Sequence, residues 1–220
     1  MWPFKRKVPF RVMAVGLRQL VVGFIPGVLS RLERSSLALS EEQWWWLSVV
    51  LNMLGASAAS QGVYGAVKDR RIAAALHFGM LEELSIMFQE PKIGEVARDA
   101  GGRPLPSEEQ RAAITEGITD FLALSYRLGR VEEEHRAENT FARNSRLAEQ
   151  VLNEAGVSEA VSKHVALDPL VVSQLALFRY HAAMGACQLL HKYRVVLDEQ
   201  DRVPHLDADE PEDQPPRATG

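Results

Sequence analysis

Glu132 and His135 stand three residues apart in the run Glu132-Glu133-Glu134-His135, and Glu138 follows three further on. On a helix, positions i and i+3 share a face, so a carboxylate and an imidazole at this step can hold one divalent ion. Carboxylate metal sites in four-helix bundles use that spacing twice and add two further inward glutamates. No second Glu-x-x-His occurs here, and His77, His164, His181 and His191 have no carboxylate at that step. The cluster therefore reads first as a solvated face. Glu132, His135 and Glu138 are retained as the metal-binding alternative.

Cys187 and His191 are four apart on the last apolar segment and can touch on a helix. A thiolate nucleophile needs a base, a third group to orient that base, and access. The surrounding "AMGACQLLH" offers small residues suited to close packing, in which cysteine behaves as a small hydrophobe. Cys187 is the single cysteine, which leaves no disulfide within the chain. No glycine-rich phosphate loop follows a strand pattern, and no residues suggest a cofactor.

The elements that must position these groups read as helices. The chain has 220 residues and a formal charge of -4, and the charge is unevenly placed. Residues 1–40 carry Lys5, Arg6, Lys7, Arg11, Arg18, Arg31 and Arg34 against Glu33 alone, while residues 198–220 carry eight acids against Arg202 and Arg217. Basic ends meet phosphate head groups or nucleic acid, and acidic Pro-containing tails solvate. The basic residues lack interleaved aromatics in a groove-sized patch, which disfavours nucleic acid and suits anionic lipid.

The 3.6-residue periodicity predicts helices over residues 12–30, 41–62, 66–89, 107–128, 131–154 and 168–197, with a short one at 158–166. Pro91 is expected to stop the third, residues 91–106 to form a loop, Gly129 to break the fourth, and the tail from 200 to be disordered. No stretch shows a sustained strand alternation. The basic-then-apolar N-terminus is interrupted by Arg18-Gln19 and lacks a small-x-small site, so it reads as a retained segment and not a leader.

The word Ser-Glu-Glu-Gln occurs at residues 40–43 and again at 107–110. Serine at the N-cap with glutamine at N3 forms a capping box, and the two glutamates between suit the positive end of the helix dipole. At an offset of 67, Leu47, Leu51, Leu54 and Gly62 fall on Ile114, Ile118, Phe121 and Gly129. Any two capped amphipathic helices share such features, so duplication is the lesser reading. The differences are sharper: Val49, Met53, Ser60 and Val63 fall on Glu116, Asp120, Arg127 and Arg130.

From Gln43 to Val67 there is no charged residue. A helix of that length is about 37 Å long, enough to cross a hydrocarbon core of about 30 Å. Trp44, Trp45 and Trp46 stand at one end and Tyr64 near the other, as interfacial anchors do. If residues 12–30 and 43–67 both span, Lys5, Arg6 and Lys7 fall on the same side as Lys68, Arg70 and Arg71, which sets both termini in the cytoplasm. Gly55, Ala58, Ala59 and Gly62 would allow close helix contact. Against spanning, Arg18 lies mid-segment, and a helix apolar on all sides is also what a central core helix looks like.

The expectation is an all-α bundle of five to six helices, divided into an apolar N-terminal hairpin (1–67), a helical bundle (68–197) and an acidic tail (198–220). Its expected role is a non-catalytic interaction or scaffold protein at the cytoplasmic face of a membrane. Its expected partners are a protein, a second copy or anionic lipid. The alternatives are a soluble cytoplasmic bundle, and an enzyme or metal-binding protein using Glu132 and His135.

Overall fold

A computed structural model describes residues 6–35, 37–99, 102 and 104–197, apart from the side chain of Glu132. The chain is all-α, with seven helices among the described residues. They are α1 (Phe10–Glu33), α2 (Glu41–Ala66), α3 (Arg70–Ile93), α4 (Glu108–Glu134), α5 (Thr140–Glu154), α6 (Glu159–Val165) and α7 (Pro169–Lys192). Two four-residue strands, β1 (Arg6–Pro9) and β2 (Tyr193–Val196), pair in parallel with Arg6 opposite Tyr193 and Pro9 opposite Val196.

Both copies of Ser-Glu-Glu-Gln form complete capping boxes. Ser40 Oγ accepts from the Gln43 amide at 3.2 Å while Gln43 Oε1 accepts from the Ser40 amide at 3.0 Å, and Ser107 and Gln110 repeat the exchange at 3.2 and 2.8 Å. Each glutamine has an amide group left over, and each uses it to tie its helix start to another helix's end. Gln43 Nε2 donates to the Gly156 carbonyl just beyond α5 (2.8 Å), and Gln110 Nε2 donates to the Ile93 carbonyl that closes α3 (2.9 Å). Gly94, next to one acceptor, and Gly156, which carries the other, take positive φ (70° and 77°), a backbone conformation that glycine adopts without a Cβ penalty. The pair α2–α3 and the pair α4–α5 thus tie each other reciprocally.

Helix α2 is the centre. It packs against α1, α3, α4, α5 and α7. Residues 49–56 are buried without interruption, more than two helical turns, so protein covers every side. The apolar stretch expected as a second span is therefore occupied by protein from residue 47 to 60. The small residues marked for close contact make it with α7: a Cβ at Gly62 would run into the Ala183 carbonyl, and one at Gly55 would press on the Phe178 ring and Val21. One continuous apolar cluster takes side chains from α1 through α5 and from α7, and it runs across residue 67 without a seam.

Helix α1 is different. Phe10, Met13, Ala14, Leu17, Val21, Ile25, Val28 and Leu32 are buried at three- and four-residue steps, a single inward stripe. Among the described residues α1 alone is long and apolar enough to cross a membrane. The same test is passed by core helices of soluble proteins.

Several boundaries differ from expectation. Helix α3 runs through Pro91 to Ile93, because so near the end a missing N–H removes only one ladder bond. Helix α4 passes Gly129 and stops at Glu134, and α5 restarts where the Asn139 side chain accepts from the Ala142 amide at 2.9 Å. The segment 131–154 is thus two helices. Helix α7 ends at Lys192, where Tyr-Arg-Val-Val, rich in β-formers, joins β1. The tail expected to be disordered lies outside the described residues.

Candidate functional site

The break after Glu134 changes the metal reading first. His135 is the C-cap of α4, with φ -103° and ψ 18°, so the i, i+3 geometry of a continuous helix does not extend through it. Its Nδ1 lies 2.9 Å from Glu138 Oε1, and the second oxygen of Glu138 is buried with no hydrogen-bond partner. Glu132 shares the helix, but its side chain lies outside the described residues. Among those residues no three His, Cys, Asp or Glu side chains converge to hold a metal. What remains is an imidazole–carboxylate pair that closes the α4–α5 turn.

Cys187 Sγ lies 3.5 Å from His191 Nδ1, the contact expected from their spacing. The same nitrogen lies 2.7 Å from the Cys187 carbonyl. A carbonyl only accepts, so Nδ1 carries the proton and donates to it. A protonated Nδ1 cannot take a proton from the thiol, and the pair is not set for nucleophilic chemistry.

The spacing arguments missed a hydroxyl–imidazole pair. Ser60 Oγ on α2 lies 2.5 Å from His77 Nδ1 on α3. Burial lowers the His77 pKa below its ordinary 6.5, which favours the neutral ring and lets the Ser60 hydroxyl donate to Nδ1. Ser60 is buried, so this is an interhelical tie and not an accessible nucleophile. Its sequence signal is faint, since it comes only from folding α2 onto α3 as an antiparallel hairpin.

A charged seam runs between α1 and α3. Arg11 pairs with Glu82, and its guanidinium lies over the Phe10 ring at 4.8 Å. Arg98 grips the buried Glu83 with both amino groups, at 3.1 and 3.2 Å. Arg18, seven residues after Arg11, borders a cleft with Glu90, Glu95 and Arg98. The mid-helix arginine that argued against a membrane span therefore sits on the acidic α3 side.

The other side of α1 carries no such charges. Val12, Gln19, Gly23, Pro26, Gly27 and Ser30 are exposed there, with Val15 and Val22 half-buried between them. Arg6 and Lys7 stand exposed in β1 at one end, and Arg31, Glu33 and Arg34 are exposed at the other. Between β1, α1 and the end of α7 opens a cleft of about 650 Å³, lined by Arg6, Lys7, Val12, Val15, Gln19 and Leu189 among others.

The remaining anchor candidates are spread out. Lys5 lies outside the described residues. Trp44 is half-buried against the core, while Trp45 and Trp46 are exposed and stack edge to face at 4.7 Å. Tyr64 is exposed at the far end of α2, its ring 5.9 Å from the Arg70 guanidinium carbon. The structure thus keeps the tryptophans and the tyrosine at opposite ends of one core helix.

No family model, no curated protein and no solved structure matches the chain.

Proposed function

We propose that this chain is a non-catalytic helical interaction protein that attaches peripherally to an anionic membrane surface at the cytoplasmic face. The observation that carries the reading is the outer face of α1, free of exposed charge from Val12 to Ser30 and bracketed by Arg6 and Lys7 at one end and by Arg31 and Arg34, with Glu33 between them, at the other. Each lysine or arginine beside an anionic leaflet contributes about 1 kcal/mol, and the apolar strip adds burial in the interface. Peripheral contact fits better than spanning, because eight α1 side chains are engaged in the core and would leave it if the helix were withdrawn. The remaining faces of the bundle are available to a protein partner or a second copy. A metal-dependent bundle built on Glu132 and His135 has less support, since among the described side chains His135 meets Glu138 and no three possible ligands converge.

Flotation of the purified full chain with vesicles tests this. The chain should float with phosphatidylcholine–phosphatidylglycerol vesicles and not with phosphatidylcholine alone, and high salt should release it. Equal behaviour on both vesicle types would remove the reading. Resistance of membrane-bound chain to alkaline extraction would replace it with a span.

A further inference from the structure

We infer that the acidic segment 198–213 of this same chain docks into the cleft between β1, the outer face of α1 and the end of α7. Three observations point to that occupant. The first is where the segment starts. Val196 pairs with Pro9 in the parallel β1–β2 ladder, so the chain passes Leu197 beside the first residue of α1, at the mouth of the cleft.

The second is charge. Arg6 and Lys7 line the cleft, are exposed, and have no ion-pair partner among the described residues, whereas Arg11 in the same cleft already pairs with Glu82. The segment brings Asp198, Glu199 and Asp201 and then Asp207, Asp209, Glu210, Glu212 and Asp213, with only Arg202 of opposite sign. The third is the pattern between those acids. Val203 and Leu206 sit between the two acidic groups, and the cleft presents Val12, Val15 and Leu189 beside its cations.

Reach is sufficient. Ten residues of extended chain cover up to about 33–36 Å. The cleft follows α1 for about ten residues from Pro9 to Gln19, which is about 15 Å of helix. A tether this short gives an effective concentration on the order of millimolar, so even a weak charge contact is populated. An anionic surface and this segment would then compete for Arg6 and Lys7. The contact itself stands without the lipid reading, because it is measured in the absence of lipid.

A spin label reports it in the full chain. Ala208→Cys on a Cys187→Ser background carries the nitroxide, and amide signals are compared between its oxidised and reduced forms. Signals of Lys7, Val12 and Gln19 should lose intensity at low salt and recover at about 1 M salt, where the screening length falls to about 3 Å. Arg6→Glu with Lys7→Glu should also restore them, and so should Asp207→Asn with Asp209→Asn and Glu210→Gln, which leaves the bundle untouched. The reduced spectrum of each variant shows whether it is folded. Uniform intensity across the cleft at low salt would overturn the inference. So would equal loss when label and isotope are on separate molecules.

Discussion

Helices α2 and α4 begin with the same four residues, make the same capping box and tie their glutamines to the ends of α5 and α3, yet they occupy opposite situations. Five helices surround α2, whereas α4 keeps Glu116, Arg127, Gly129 and Arg130 in solvent. The start of a helix is a local matter, settled by four residues and their hydrogen bonds. What the helix is for depends on the faces that follow, and those are set by where neighbours lie.

Matched substitutions at the offset of 67 separate the two helices experimentally. The largest effect is expected from exchanging charge. Val49 is 4% exposed, and Val49→Glu would bury a carboxylate with no partner, destabilising the chain by more than about 4 kcal/mol. Its counterpart Glu116→Val removes an exposed charge and should change stability by less than about 0.5 kcal/mol in urea unfolding.

Next come the paired glycines. Gly62→Ala drives a methyl into the Ala183 carbonyl, for a loss of about 1–3 kcal/mol, while Gly129→Ala meets open space and should gain up to about 1 kcal/mol from helix propensity. Equal effects at the two glycines would mean α2 is not packed on α7 as described.

The caps should behave alike where the faces differ. Ser40→Ala and Ser107→Ala should each cost about 1 kcal/mol, read as similar shifts in thermal midpoint.

The smallest contrast lies in pH. Ser60 ties α2 to the half-buried His77, and at the equivalent position Arg127 ties α4 to Glu154 at 2.7 and 2.8 Å. His77 is held below its ordinary 6.5, so below that pH the unfolded chain takes up a proton that the folded chain resists, and stability falls. Glu154 is held below its ordinary 4.5 by the hydrogen bonds from Arg127, so its contribution is present above 4.5 and lost as pH falls below it. Between pH 6.5 and 4.5 the fall in urea midpoint should therefore weaken in a His77→Phe variant and persist in Arg127→Ala.

Much of this architecture could be read before the fold was known. The caps at Ser40 and Ser107 mark helix starts because their hydrogen bonds are local. The break at residues 135–139 was hidden because neither glycine nor proline marks it. The β1–β2 pair was hidden because four residues show no alternation and the partners lie at the two ends of the helical region. Of the candidate site, the spacing of Cys187 and His191 predicted their contact, but not that the carbonyl takes the Nδ1 proton. The lack of charge in α2 was plain, but lipid and protein impose the same pattern, and only the burial of residues 49–56 separates them in this fold.

Helices α1 and α2 pack into the core of the bundle and are not appended to it. The most direct test is thermal unfolding, followed by circular dichroism, of residues 68–197 alone beside the full chain. Without α2, the residues of α3, α5 and α7 that face it lose their cover, and the piece should show no cooperative transition while the full chain does. A cooperative transition in the piece, near that of the full chain, would contradict the account and make residues 1–67 an appendage.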